Sequence, residues 1–501
     1  MQRSIATTFP RSGQLGLLRT DVWARLRLAL ERADAAQIGL FFITLAIGIY
    51  VFSNPSRSGW YNHFVWQSDA FLHGRFAIAY PVVDGPFVNA YFQDIMSLPS
   101  TPGAPSYGLL PFPPLPAVLL MPFVAVFGMA TDAQLFGVVL GAVNVGLAWR
   151  LTTRLTDQRA VAFLATLFFA FGTVHWYAAI ISTTWFLAHV VAITFVLLGI
   201  TVALDAERRE QLRQSLAGRI GAGEHARFGP VAATIEQSSL FLAWYRRLRG
   251  QVDGLQFAAG FVFGLAALSR LTIIFGAPFF VFVGGGGSYR RRALSAGLGA
   301  VIPVALLGLY NVISTGHLFN PAYDWLYQNQ VAGLGYAPQG LEGSRDWGVE
   351  NPRFIPLSSI IMFLWPPDFF PAYPPFCTDG VRTLLSPTCP LLAPSKFGMS
   401  ILLTSPAYLL IPAIAAVAWR QRLVLGAALA VFSIAIVNLA HFSQGWVQFG
   451  YRFSNDFAPF ALVLITVAIA WLGVRKLTVA LVAASIVVNA WGVYWSVTLG
   501  W

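Results

Sequence analysis

Asp69 and His73 stand four residues apart in GWYNHFVWQSDAFLHGRF, residues 59–76. If that stretch is helical, Asn62, Trp66, Asp69 and His73 recur at steps of four, three and four and share one face. A carboxylate with a histidine one turn away, flanked by an amide and an indole, suits general-base work on a hydroxyl. A partly desolvated aspartate has a raised pKa and takes a proton more readily. The same spacing fits a juxtamembrane helix whose polar face meets water or lipid headgroups. Two arginines draw notice by their setting: Arg270 in AALSRLTII and Arg452 in QFGYRFSNDFAPF. A guanidinium at the edge of an apolar stretch suits the phosphate of a lipid-linked ligand, because its planar fork matches phosphate oxygens. Snorkelling of Arg270 to the interface and an internal pairing of Arg452 with Asp456 are the plainer readings.

The elements that must position these residues are apolar. Of 501 residues, 56% are hydrophobic and 11% charged, and the mean hydropathy is +0.64. Soluble domains carry about 25% charged residues, so the chain reads as an all-α polytopic membrane protein rather than a soluble enzyme. Its net charge of +11 invites a nucleic-acid partner. The basic residues nevertheless fall in short clusters between apolar stretches, the pattern of membrane topology and not of one solvated binding face.

Residues 1–34 carry six arginines and form no signal peptide. From Ala35 to Ser56 there are 22 uncharged residues, enough to cross about 30 Å of hydrocarbon. Further spans are expected at about 133–149, 160–180, 184–204, 254–270, 271–288, 293–313, 399–418, 423–441, 456–473 and 477–495, making about eleven. Residues 109–128 are also apolar, but counting them as a span would send the arginines of 205–253 to the outside. With Pro111, Pro113, Pro114, Pro116 and Pro122 they read as an interfacial or re-entrant segment on the outer side. This arrangement puts 24 of the 32 basic residues, with 10 acids, on the cytoplasmic side. The N-terminus is then cytoplasmic and the C-terminus outside. Many arginines beside two lysines, Lys396 and Lys476, suggest the cytoplasmic membrane of a GC-rich prokaryote.

The expected organisation is a cytoplasmic segment 1–34 and a membrane module 35–313 with an outer loop 53–132 and a cytoplasmic insert 205–253. A large outer loop 314–398 and C-terminal spans within 399–501 follow. The second outer loop holds both cysteines, Cys377 and Cys389, whose position on an oxidising side suggests a disulfide over two unpaired thiols. The run Gly284–Gly287 lacks the lysine and hydroxyl of a phosphate loop and reads as a flexible turn. No zinc spacing is present.

Several stretches resemble the polyprenyl-phosphate-dependent membrane glycosyltransferases of the C-type fold, the superfamily of protein O-mannosyltransferases and lipid A aminoarabinose transferases. They are the proline-containing FPPLPAVLLMPFVAVFG, GFVFGLAALSRL, FGMSILLTSP (Phe397–Pro406) and GYRF near the C-terminus. The resemblance implies a sugar donor on a polyprenyl phosphate, basic residues holding that phosphate, and a carboxylate of the first outer loop acting as base. Carried over, Asp69 is the base and Arg270 and Arg452 the phosphate ligands. The family's acid usually follows the first span directly. Counting back from Gly74 reaches Trp60–Asn62, where there is none, so Asp84 and Asp94 stand as alternative bases. The second acid usual in the next outer turn is also missing, since that turn reads STTWFLAH.

The implied reaction is an inverting single displacement at the outer face, on a lipid, glycan or protein acceptor. It requires no cofactor, and a divalent metal is compatible with it. Trp60, Trp66, Tyr323, Trp325 and Trp347 are candidates for stacking on sugar faces. A transporter or flippase is the main rival. Mid-span polar groups are sparse for one: Asn144, His189, Asn311, Asn438 and Asn489. A non-catalytic relative that binds lipid-linked sugar is the third reading.

Overall fold

The computed structural model describes residues 34–57, 61–80, 94–99, 106–223, 251–326, 347–371, 377, 380–443, 445 and 447–500. In chain order these form α1 (Ala35–Ser53), α2 (His63–Leu72), β1 (Ile78–Tyr80), β2 (Met96–Ser97), β3 (Ser106–Leu109), α3 (Leu115–Phe127), α4 (Ala133–Leu155), α5 (Arg159–Phe171) and α6 (His175–Ile181). There follow α7 (Thr184–Gly223), α8 (Gly254–Ala267), α9 (Pro278–Phe282), α10 (Tyr289–Thr315), α11 (Ala322–Leu326), α12 (Ile355–Phe363), β4 (Asp368–Phe369) and β5 (Leu392–Ala393). The chain ends with α13 (Ile401–Thr404), α14 (Leu410–Ala418), α15 (Arg422–Ala440), α16 (Ser454–Leu472) and α17 (Lys476–Thr498). Seven of these helices, α1, α4, α7, α10, α15, α16 and α17, are long and apolar enough to cross a membrane. The protein is a helical membrane protein.

Local chemistry sets several helix starts. Asp132 caps α4 by accepting from Leu135 N (2.8 Å), Asp253 caps α8 by accepting from Gln256 N (2.9 Å), and Ser288 caps α10 through Arg291 N (3.3 Å). At the other end of α10, Gly316 takes the left-handed conformation that stops the helix (φ 76°).

At three expected spans the helix is broken. Residues 160–180 are α5 and α6, bent by 46° about Gly172–Val174. The region 254–288 holds α8, a 3-10 turn at Leu271–Gly276, the short α9 and then the glycines. Residues 399–418 are α13, a 3-10 turn at Pro406–Leu409 and α14, since Pro406 starts a new turn where it cannot continue the old one. At the break after α8, Leu115 N at the start of α3 donates to Leu268 O (2.9 Å), so a carbonyl freed at the helix end is taken up. The 13-residue α3 starts after Pro114, has Pro116 in its first turn and holds Pro122 within it. It leaves Val118, Phe123, Val126 and Phe127 exposed.

The two most deeply buried long helices are α7 and α16, and the rest pack around them. Gly260 and Gly264 on α8 and Gly299 on α10 let these two backbones touch. A Cβ on Gly260 would strike the Ala296 carbonyl, and one on Gly299 the Phe257 carbonyl. One end of the bundle is tied by ion pairs: Arg154–Asp205 (2.8 Å), Arg209–Asp253 (2.9 Å) and Arg422–Glu207 (2.8 Å) join α4, α8 and α15 to α7. The opposite end carries the loops. There α2, the sheet β1-β3-β2 with both pairings antiparallel, and α3 share a core with Leu187, Ala188 and Val191 of α7. In the later loop Cys377 and Cys389 are joined by a disulfide, and β4 pairs antiparallel with β5.

Candidate functional site

The loop end of the bundle gathers its charge around one ring, Phe453, just before α16. Arg270 and Arg452 place their guanidinium carbons 5.2 and 5.3 Å from its centroid. The two cations have different surroundings. Arg270, in the extended break between α8 and the 3-10 turn, forms a fork on Asp456: Nε donates to Oδ1 (3.2 Å) and Nη2 to Oδ2 (2.9 Å). The fully buried Asp456 carboxylate also accepts from Thr272 Oγ1 (3.0 Å) and Asn438 Nδ2 (3.2 Å), and His189 Nδ1 lies 2.8 Å from Oδ1. The buried charge is therefore matched on every side by groups from α7, the 3-10 turn and α15.

Arg452 has no carboxylate within ion-pair distance among the described residues. Its guanidinium lies against Trp185 (5.9 Å to the ring) and Phe186 (5.6 Å) as well as Phe453, and its buried Nε has no hydrogen-bond partner. Gly445, with φ 101°, lets the chain pass so close that a Cβ there would press on this guanidinium. Burial, followed by the positive charge of Arg270, pushes the Arg452 pKa down to about 10. Asp94 acts on this charge from beyond ion-pair distance, and a guanidinium so placed can hold a further anion.

Asp94 also contacts Trp185. Trp185 Nε1 donates to Asp94 Oδ2 (2.6 Å), and Tyr61 meets the Trp185 ring edge-on at 5.1 Å. Asp94 is half-buried, with a left-handed backbone (φ 54°) that aspartate tolerates better than most residues. Burial raises its pKa above the ordinary carboxylate range, against the lowering pull of the Trp185 hydrogen bond and the charges of Arg452 and His441. His441 Nδ1 lies 2.7 Å from Glu350 Oε1, and Tyr323 meets the His441 ring edge-on at 6.4 Å. A carboxylate with raised basicity and a guanidinium that makes no ion pair among the described residues thus both lie against one indole. That arrangement can take a proton on one side and hold an oxyanion on the other.

The residues expected on one face of α2 do not share one environment. Asn62 and Trp66 are buried, Trp66 edge-on to His63 at 5.0 Å. Asp69 is partly exposed, 3.5 Å from His73 Nδ1 and 3.9 Å from Arg75, and His73 is exposed. The helix dips into the core at its start and leaves it at its end, so its face runs from protein to surface. The buried polar side of α2 instead uses His63, 2.7 Å from Thr184 Oγ1, and Gln67, which donates to Tyr310 (2.9 Å). Asp84 and Trp60 lie outside the described residues. Of the other aromatic candidates, Tyr323 joins the site and Trp347 packs on Phe354 and Arg353. Trp325 is half-buried. The internal pair expected between Arg452 and Asp456 is replaced by Arg270–Asp456. Arg452 precedes the helix and points to α7, while Asp456, in the first turn, points to the break after α8.

The turn STTWFLAH supplies Thr184, Trp185 and His189 to this region, residues whose role the sequence signals only as polar and aromatic groups at a span's outer start. Among the described residues no three His, Cys, Asp or Glu side chains are gathered as a metal ion requires. Comparison of the chain with protein-family models, with curated proteins and with solved structures finds no match.

Proposed function

We propose that the protein is an integral-membrane glycosyltransferase that moves a sugar from a polyprenyl-phosphate donor to an acceptor hydroxyl, at the loop end of the bundle. The observation that carries this reading is that Asp94 and Arg452 both lie against Trp185. Asp94 takes the proton of the acceptor O–H, and the oxygen attacks the anomeric carbon from the face opposite the phosphate. The bond from that carbon to the phosphate oxygen breaks, its electron pair leaves with the lipid phosphate, and Arg452 offsets the developing charge. Inversion at the anomeric carbon follows.

Asp94 replaces Asp69 as the base because it is the one beside an open cation. Arg270 is a positioning residue, since its charge is matched by Asp456. One cation that makes no ion pair among the described residues suits the single negative charge of a phosphodiester-linked sugar. In this reading the bent pair and the short apolar helices Gly254–Ala267, Leu271–Phe282 and Pro406–Ala418 also cross the membrane, giving eleven spans. The ion-paired end, rich in arginine, faces the cytoplasm, and the site faces outward in the cytoplasmic membrane.

The test is transfer from labelled polyprenyl-phosphate sugars by the full chain in nanodiscs. Asp94→Asn abolishes release of sugar while donor binding persists, and Asp69→Asn retains turnover. Arg452→Gln weakens donor binding itself. Turnover that survives in Asp94→Asn and disappears in Asp69→Asn overturns the assignment. Donor binding by wild type without turnover against any acceptor favours a non-catalytic binder of the same ligand.

A further inference from the structure

At the loop end, far along the sequence from the Asp94–Arg452 pair, the disulfide-closed segment after β4 presents an unusual surface. Phe369, Phe370, Val381, Leu384 and Leu385 are all exposed, Val381 at 88%. Among the described residues between Cys377 and Cys389 the one charged side chain is Arg382. Its guanidinium is turned inward, donating to Pro390 O (3.0 Å) and covering the Phe370 ring at 5.5 Å. The segment is held in a fixed shape, for Cys377 is bonded to Cys389 and Thr383 N donates to Cys389 O (3.1 Å). A grouped apolar surface of this kind facing water is uncommon in a soluble setting.

The place where the segment is fastened identifies what covers it. Tyr494 Oη donates to Leu385 O (2.6 Å) and Trp495 Nε1 to Leu384 O (3.3 Å). Both lie near the end of α17, a helix long and apolar enough to cross the membrane. Trp495 is buried and fastens the segment from within, while Tyr494, 38% exposed at the end of this helix, marks the level where hydrocarbon gives way to headgroups. The exposed leucines therefore continue the lipid-facing side of α17 at interfacial depth. We infer that the disulfide-closed segment 380–389 is a membrane-seated lip, whose Val381, Leu384 and Leu385 insert into the headgroup–acyl boundary of the leaflet at the loop end. The disulfide and the two α17 hydrogen bonds set its angle, so that its apolar tip meets lipid while Arg382 stays folded back against the protein.

The experiment uses the wild-type chain in nanodiscs containing a phospholipid with a photoactivatable diazirine close to the headgroup, with adducts mapped by mass spectrometry. Lipid adducts are expected on 381–385 together with adducts on α17, which serves as the internal positive control. Leu384→Ser/Leu385→Ser should lower labelling of the lip several-fold while labelling of α17 is unchanged. Labelled α17 with an unlabelled lip overturns the inference. So does chemical cross-linking of the lip to a second copy of the chain in place of lipid. The outcome is independent of sugar transfer, because neither readout requires turnover.

Discussion

At the residue scale the strongest demand in the molecule is Asp456, a carboxylate with no exposure that is held by Arg270, His189, Thr272 and Asn438. Removing one partner of a buried pair leaves the other uncompensated, which costs about 3–5 kcal/mol. Asp456→Ala should therefore lower stability by that order in denaturant unfolding from lipid–detergent micelles. Asp456→Leu/Arg270→Met, which removes both charges, should recover most of the loss. If the double variant is no better than the single one, the pair matters for its charges and not for their balance. Asp94 makes a second prediction at this scale. Its carboxylate works as a base only when ionised, so transfer should rise with pH through an acid limb displaced above the ordinary carboxylate range. The Trp185 N–H favours the ionised form. Trp185→Phe keeps a ring under Arg452 and loses that bond, so it should move the limb to higher pH. A limb that stays in place, measured as kcat/KM against pH, separates the limb from Asp94.

At the element scale, the meeting of α8 and α10 is set by glycine. A Cβ on Gly264 would press on the Ala300 backbone and the Pro303 ring, whereas one on Gly297, on the outer side of α10, meets nothing within 4 Å. Gly264→Leu should destabilise the protein by about 1–3 kcal/mol or more through overpacking against backbone that cannot yield. Gly297→Leu should be close to neutral in the same thermal-unfolding measurement. Equal effects of the two would show that helix propensity, and not contact, governs both sites. The elements also show which parts of the architecture are legible in sequence. The long spans follow from uninterrupted apolar runs, and the division at Arg270 follows from an arginine standing between two short apolar stretches. The bend at Gly172–Val174 and the 3-10 form of Leu271–Gly276 do not, because a bent or 3-10 stretch has the same composition as a straight helix. It is tertiary contact, such as Leu115 N on Leu268 O, that settles its shape. Arg270 and Arg452 stand out in sequence as costly residues at apolar edges. Their different roles depend on which carboxylate lies across 186 residues of chain, and periodicity holds no record of that. The spacing that drew attention to Asp69 was real on α2, but one helix face can pass from core to surface within ten residues.

At the scale of the whole molecule, α7 is held near its start by the hydrogen bond between His189 and Asp456 and tied by ion pairs at its middle through Asp205 and Glu207. The two anchors stand in different media. Arg154, Arg209 and Arg422 keep a third or more of their side chains exposed, while Asp456 and His189 are sealed. Dissolved ions reach the first set and not the second. Ionic strength therefore acts on this protein as a one-sided lever. Raising it should quicken backbone hydrogen exchange where α4, α7, α8 and α15 meet at the arginine-rich end, and leave exchange around Asp456 unchanged. The ties at one end of the bundle are open to dissolved ions and those around Asp456 are closed to them, so salt should alter the spread of the helices at the first end without disturbing the residues at the second.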